Sequence, residues 1–302
     1  MTEKPAIGFV GIGNMGWPMA DCLARAGFDL RVADARRMQA ENFVQQVGGF
    51  APDSLRELAA GSGVVITMLP TSANVATALA DAEDNLLAGL RPGSIVIDMT
   101  SGQPAVTQAL AARVAAAGSV MIDAPVSGGV PRAKTGQLAI MVGGDAAVID
   151  RVRPVLEAMG STILPCGGVG AGQAMKALNN LVSAGGFLIG IEALLIGQKF
   201  GLDPGLMTDV LNVSTGMNNS TQKKFRQFVL SRGFDSGFSL DLMVKDLSIA
   251  TGMGKDGAVP APFANLCREM WAAAASMLGP GQDHTAVAQL SERLAGTTLG
   301  EG

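Results

Sequence analysis

The run Ala6–Val10 is short and apolar, reads as a buried strand, and ends in Gly11-Ile12-Gly13-Asn14-Met15-Gly16, the spacing G-x-G-x-x-G. In this pattern Gly11 permits a tight turn, Gly13 lets the backbone approach a pyrophosphate, and Gly16 lets the following helix pack closely. The phosphates then lie at the positive end of that helix, Met15–Ala26, which Gly27 terminates. A second strand, Leu30–Ala33, delivers Asp34 eighteen residues after Gly16. A carboxylate there accepts hydrogen bonds from an adenosine ribose and repels a 2′-phosphate, which favours NAD. Arg36 and Arg37 follow at once and suit a 2′-phosphate, so NADP stays open as the second cofactor. With 40 glycines in 302 residues such a spacing also arises by chance; the strand, helix, strand and acid around it carry the reading, against a doubly wound domain that binds no nucleotide.

The same alternation continues. Strands are expected at Val64–Met68, Ser94–Asp98, Val120–Asp123, Leu138–Val142 and Thr162–Leu164, separated by amphipathic helices, which predicts an α/β domain of Rossmann type over residues 1–165 with a largely parallel sheet. Its ligand crevice belongs at the carboxyl ends of the strands, where the segments Met68–Asn74, Asp98–Pro104 and Asp123–Gly129 fall. After Cys166–Gly172 the character changes. Gln173–Phe200 reads as one helix of about 40 Å, apolar on nearly every face. A membrane span is one reading; Lys176, Asn179, Asn180, Ser183, Glu192 and Gln198 interrupt the stretch, and Gly185, Gly186, Gly190 and Gly197 allow other helices to approach, which favours a core or interface helix. Further helices are expected over 204–212, 218–230, 240–254, 261–278 and 284–296, making residues 166–302 an all-α domain for substrate and oligomerisation, joined through the long helix.

Composition removes several classes of function. With 16% charged residues and a net charge of -4, no basic face invites nucleic acid. Cys22, Cys166 and Cys267 are odd in number and lack a C-x-x-C, as fits small buried free thiols in a reducing cytoplasm, and the first strand begins too early for a signal peptide. His284 is the only histidine, is expected as an exposed residue in the first turn of the last helix, and there is no tyrosine. A Ser-His-Asp device, a histidine metal site and a tyrosine-lysine device are therefore hard to build, and no metal is expected.

Lysine becomes the leading acid–base group. Lys176 and Asn180 are four apart and share one helix face. So apolar a helix desolvates the ammonium and lowers its pKa toward a useful range; a lysine snorkelling at a helix end is the plain alternative. Ser127 offers a hydroxyl beside the backbone amides of Gly128 and Gly129, a concave anion site suited to a carboxylate or simply a loop. Lys245 and Asp246 form a surface pair, or Lys245 reaches a cofactor.

The motifs "FVGIGNMGWPMA", "DAPVSGGVPRAKTGQLAIMVGG", "GAGQAMKALNN" and "KDLSIA" occur in this order and together resemble the 3-hydroxyisobutyrate dehydrogenase family, the β-hydroxyacid dehydrogenases, over essentially the whole chain. The resemblance implies reversible oxidation of a small anionic β-hydroxyacid by NAD or NADP, with Lys176 catalytic and Ser127, Gly128, Gly129 and Asn180 binding substrate. It implies cofactor contacts from Gly11, Ile12, Gly13, Asn14, Met15, Gly16, Asp34, Leu69, Pro70, Asn74, Ser101 and Lys245. Arg132 and Lys134 stand where many relatives carry glycine or alanine, and Met217-Asn218-Asn219 where others often carry an aromatic, which points to a more polar or doubly anionic substrate than 3-hydroxyisobutyrate, such as a sugar acid, tartronate semialdehyde or a sulfonate; charges lying on the plain surface are the alternative. The alternatives are an NADPH-dependent reductase of a semialdehyde or glyoxylate, an imine reductase, and a non-catalytic nucleotide sensor. The glycine-bearing helix predicts a homodimer or homotetramer.

Overall fold

The structure, a computed structural model, describes residues 4–300. The chain divides into two compact units, one ending at Lys176 and the other beginning at Ala177.

The first unit is built on β1 (Ile7–Val10), β2 (Leu30–Ala33), β3 (Val64–Thr67), β4 (Ile95–Asp98), β5 (Val120–Asp123), β6 (Val126–Ser127), β7 (Leu138–Gly143) and β8 (Gly160–Gly167). The strand order is β2-β1-β3-β4-β5-β7-β6, with β8 on β7, and β1 to β5 are mutually parallel. The chain leaves β1 toward β2 and returns on its other side at β3, so the crevice of a topological switch lies at the carboxyl ends of β1 and β3. Alternation loads both faces of the sheet: Ile7, Phe9, Ile66 and Ile97 pack with Met19, Leu23 and Phe43, while Val10, Val65 and Val96 pack with Leu58, Leu110 and Val114.

The sheet is largely parallel, as expected, and carries antiparallel pairs at one end. β7 runs antiparallel to β5 through the single pair Asp123↔Gly143 and antiparallel to β6 through Val126↔Ile140 and Ser127↔Ala139. A two-residue strand carries no periodic signal, so its pairing is set by β7 rather than by local sequence.

In the second unit the long helix, Ala171–Phe200, buries Ala184, Phe187, Leu188, Ile191, Leu194 and Leu195 against Phe225, Val229, Leu247 and Trp271. Two of its glycines seat neighbours: a Cβ on Gly190 would meet Phe225 at 2.6 Å and one on Gly197 would meet Met207 at 2.3 Å. By length and composition the helix also qualifies to cross a membrane, and half of its most apolar stretch is buried within the structure. The helix expected over 218–230 is interrupted at Lys224, giving Asn219–Lys223 and a wider-wound turn Phe225–Leu230. The last helix is likewise divided into a tight turn, His284–Val287, and Ala288–Ala295.

Candidate active site

The three glycines of the first turn have the three environments that a dinucleotide requires. Gly11 has φ +101°, and a Cβ there would meet Met68 O at 2.3 Å; around Gly13 there is open space; a Cβ on Gly16 would collide with Gly11 O. The middle position therefore leaves room for a ligand, while the outer two hold the turn and the helix Gly16–Arg25 together. Asp34, at the end of β2, accepts from the Ile12 amide at 2.9 Å and from the Arg36 amide at 2.9 Å, and Gln39 donates to Ile12 O at 2.8 Å. The acid thus braces the glycine turn. Arg36 is 73% exposed with its guanidinium 3.6 Å from Asp34. Arg37 is committed to Glu41 and Asp53.

Leu69, Pro70 and Asn74 follow β3, and Ser101 follows β4. The two loops are stitched together: Thr100 Oγ1 accepts from the Leu69 amide at 2.9 Å, and Ser72 Oγ accepts from the Gln103 amide at 2.7 Å. Beneath them lies a buried polar network that sequence reasoning did not find. Asp98 accepts from Thr67 Oγ1 and the Thr100 amide; burial pushes its carboxyl up to about 6, against the hydrogen bonds from the two threonines. Asp123, its neighbour across the β4–β5 ladder, accepts from the Gly170 amide at 2.6 Å and the Gln173 amide at 2.8 Å. Two otherwise unpaired donors at the start of the long helix are thereby satisfied. Burial raises this carboxyl too.

Gln173 completes the joint. Its Nε2 donates to Thr100 O at 2.7 Å, its Oε1 accepts from the Gly102 amide at 2.7 Å, and only 1% of the residue is exposed. The loop holding Ser101 and the root of the helix holding Lys176 are consequently one hydrogen-bonded piece. Lys176 is half-buried, and Asn180 follows one turn later.

Ser127 is the last residue of β6 rather than part of a free turn, and Gly128 (φ +133°) and Gly129 (φ +66°) lead into the short helix Gly129–Lys134. Both glycines are exposed, as are Arg132 and Lys134. A Cβ on Gly128 would meet Arg132 Cδ at 2.7 Å, so the arginine stem lies directly over this residue.

In the second unit Asn180 is buried and donates through Nδ2 to Asp246 Oδ2 at 2.6 Å, while Asn179 donates to its Oδ1. Asp246 is 1% exposed and lies 3.4 Å from Lys245 Nζ. The pair is therefore not a surface pair: Asp246 joins a predicted substrate residue to a predicted cofactor residue. A signal existed, since Leu240, Met243, Leu247 and Ala250 mark the buried stripe of the helix Leu240–Asp256 and Asp246 falls on it.

His284 is also corrected. It is 4% exposed, faces Trp271, Phe187 and Phe238, and its Nδ1 lies 2.9 Å from Ser236 Oγ. Burial lowers its pKa, with Lys224 adding repulsion and Asp283 opposing both. Asn218 of the polar 217–219 stretch is a helix cap, accepting from the Ser220 and Thr221 amides. Cys22 and Cys267 are buried free thiols, whereas Cys166 is only half-buried. Among the described residues no group of three or more His, Cys, Asp and Glu is placed to hold a metal.

Two family models match the chain: the NAD binding domain of 6-phosphogluconate dehydrogenase over residues 6–168, and the NAD-binding domain of NADP-dependent 3-hydroxyisobutyrate dehydrogenase over residues 170–291. The chain is 34% identical to 2-(hydroxymethyl)glutarate dehydrogenase of Eubacterium barkeri, over the whole of both chains. It is 38% identical to 3-hydroxyisobutyrate dehydrogenase of Pseudomonas aeruginosa, over 88% of this chain and 90% of that one. Among solved structures, 3-hydroxyisobutyrate dehydrogenase of Mycobacterium tuberculosis with L-serine superimposes with a TM-score of 0.87 at 34% identity, covering 95% of this chain and 99% of the other.

Proposed function

The chain belongs to the 3-hydroxyisobutyrate dehydrogenase family, whose members here are dehydrogenases of hydroxyacids, and from that premise we propose how its own residues oxidise the CH–OH group of a small β-hydroxyacid. The substrate carboxylate sits on the Gly128 and Gly129 amides and the Ser127 hydroxyl. Asn180 orients it, and Lys176 takes the hydroxyl proton, returning it in the reductive direction. Bound NAD supplies the hydride acceptor. Gly11, Ile12, Gly13, Asn14, Met15, Gly16, Asp34, Leu69, Pro70, Asn74, Ser101 and Lys245 hold it, and Asp34, with Arg36 drawn toward it, favours NAD over NADP.

The observation that carries this reading is the joint of Asp123 and Gln173, which roots the helix of Lys176 at the strand ends that also lead to Ser101 and Ser127. We assign residues 1–165 to the nucleotide domain and 166–302 to a substrate and oligomerisation domain. Exposed Val182, Ile189 and Ile196 recur every seven residues along the long helix, with Phe200 beyond them; this stripe supports a homodimer or homotetramer, and a monomer by light scattering refutes it. Free Cys22, Cys166 and Cys267 support a cytoplasmic location.

The test is initial rates on 3-hydroxyisobutyrate, glycerate, threonate, serine and 2,3-dihydroxypropanesulfonate, each with NAD and NADP, for wild type and Lys176→Ala. One acid turns over with NAD, and Lys176→Ala loses about 10²–10⁴-fold in kcat while still binding NAD. An unimpaired lysine variant refutes the assignment. Bound NAD with no turnover of any hydroxyacid returns the chain to the sensor reading.

A further inference from the structure

Arg132 has no use within the fold. Arg25, Arg31, Arg37, Arg113 and Arg153 of the first unit each pair with an aspartate or glutamate, whereas the Arg132 guanidinium, like those of Arg91 and Arg151, has no hydrogen bond or ion pair among the described residues. Its direction is nevertheless fixed. In a helix the side chain leans back toward the preceding turn, and here Cβ, Cγ and Cδ of Arg132 lie 2.9, 3.2 and 2.7 Å from where a Cβ of Gly128 would stand. Only glycine at 128 admits this packing, so the stem is seated over Gly128 and the exposed charged head continues from there.

We propose that Arg132 recognises a second anionic group on the substrate, making the preferred substrate a small dicarboxylic β-hydroxyacid or an equivalent dianion. The inference rests on the seating of the first carboxylate at Ser127–Gly129 proposed above. With that carboxylate in place, an unpaired guanidinium a few atoms away offers a planar fork of donors suited to a second carboxylate. A monocarboxylic acid leaves the fork to water. Lys134, two residues on, is exposed and adds positive charge to the same short helix without a seat of this kind.

The experiment compares diacids with their mono-amides, which keep the shape and remove one charge. Malonate, succinate and glutarate and their mono-amides are titrated into the NAD complex by calorimetry, and tested as competitive inhibitors of whichever hydroxyacid turns over. For wild type, at least one diacid binds 10- to 100-fold tighter than its mono-amide. In Arg132→Gln this ratio falls to about one, and Arg132→Lys keeps a few-fold of it. The proposal is overturned if no diacid is preferred, if the preference survives Arg132→Gln, or if diacid and mono-amide weaken together, which places Arg132 on the first carboxylate. Failure of every hydroxyacid to turn over is a failure of the proposed reaction instead, and the calorimetric ratio still decides the role of Arg132.

Discussion

Replacing Gln173 by leucine keeps the side-chain volume close and removes every hydrogen bond of the side chain, leaving the backbone amide on Asp123. The Gly102 amide and Thr100 carbonyl, each held at 2.7 Å, lose their partner in a site where Gln173 itself is 1% exposed. A buried polar group left unsatisfied costs about 1–3 kcal/mol, so two cost roughly 2–6 kcal/mol, a large part of the about 5–15 kcal/mol that a domain has in hand. At about 2–4 °C per kcal/mol for a unit of this size, thermal unfolding of the first unit drops by roughly 10 °C. Activity falls as well, because Lys176 is one turn beyond Gln173 and Ser101 lies inside the clamped loop. A displacement near 1 Å at such a group costs about 10²-fold in rate. The assays are calorimetric melting, kcat on the best hydroxyacid, and the Kd for NAD, which rises as the Ser101 loop loosens. Gln173→Glu supplies the control: ionised, it sets a second carboxylate against Asp98, and protonated, it still donates one bond and accepts one, so its activity recovers relative to Gln173→Leu as pH falls. If Gln173→Leu melts within a degree of wild type and keeps its rate within two-fold, the joint is not what positions Lys176.

Two further outcomes follow from buried charges. Asp246→Ala removes the acceptor of Asn180 and the partner of Lys245 together, so KM for the hydroxyacid and for NAD both rise by about ten-fold or more, the equivalent of about 1.4 kcal/mol each; Asp246→Asn, which still accepts from Asn180, restores the first and not the second, and the opposite pattern counts against the bridge. The two units respond oppositely to acid. Asp98, pushed up to about 6 from 3.8, makes the folded first unit the stronger proton binder, so its contribution grows by roughly 3 kcal/mol as pH falls from above 6 to below 4. His284, lowered from 6.5, makes the unfolded second unit the stronger binder, so stability is lost below pH 6.5. Hydrogen exchange at pH 7.5 and 5 resolves the two, and Asp98→Asn or His284→Phe flattens the corresponding slope; parallel slopes in both units refute the assignment.

The parts of the molecule legible in the sequence are those whose physics is local. The glycine turn, the position of the acid ending β2 and the apolar character of the long helix are each legible within about thirty residues, and the turn, the strand end and the helix all form where expected. His284 was misread because its local signal is true but incomplete: Asp283 does cap the turn, accepting from the Thr285 amide, yet the rings that bury His284 come from Phe187, Phe238 and Trp271 elsewhere in the chain. Gln173 was invisible for the same reason, since Thr100 and Gly102 are more than seventy residues away. Asp246 is legible in the sequence by its place on the buried stripe of its helix, a stronger signal than its adjacency to Lys245.

Asp98 and Asp123 show why this part of the sheet is worth its expense. They stand side by side at the carboxyl ends of β4 and β5, and burial raises both carboxyls, so their burial carries a desolvation cost that their hydrogen bonds oppose. What the two acids provide is direction. Asp123 accepts from amides at the positive end of the long helix, where a carboxylate is favoured by the helix dipole, and Asp98 orders Thr100, whose hydroxyl accepts from the Leu69 amide and whose carbonyl accepts from Gln173. Apart from the bond of Thr67 to Asp98, which ties β3 to β4, the hydrogen bonds of that network end on a loop expected to touch the nucleotide or on the root of the helix that carries Lys176. A buried network aimed at those elements fixes the loops after β3 and β4 against the root of the long helix, the geometry on which the proposed proton and hydride transfer depends. The corresponding expectation is that Asp123→Asn lowers kcat more than its effect on unfolding accounts for; equal losses in both reduce Asp123 to a helix cap.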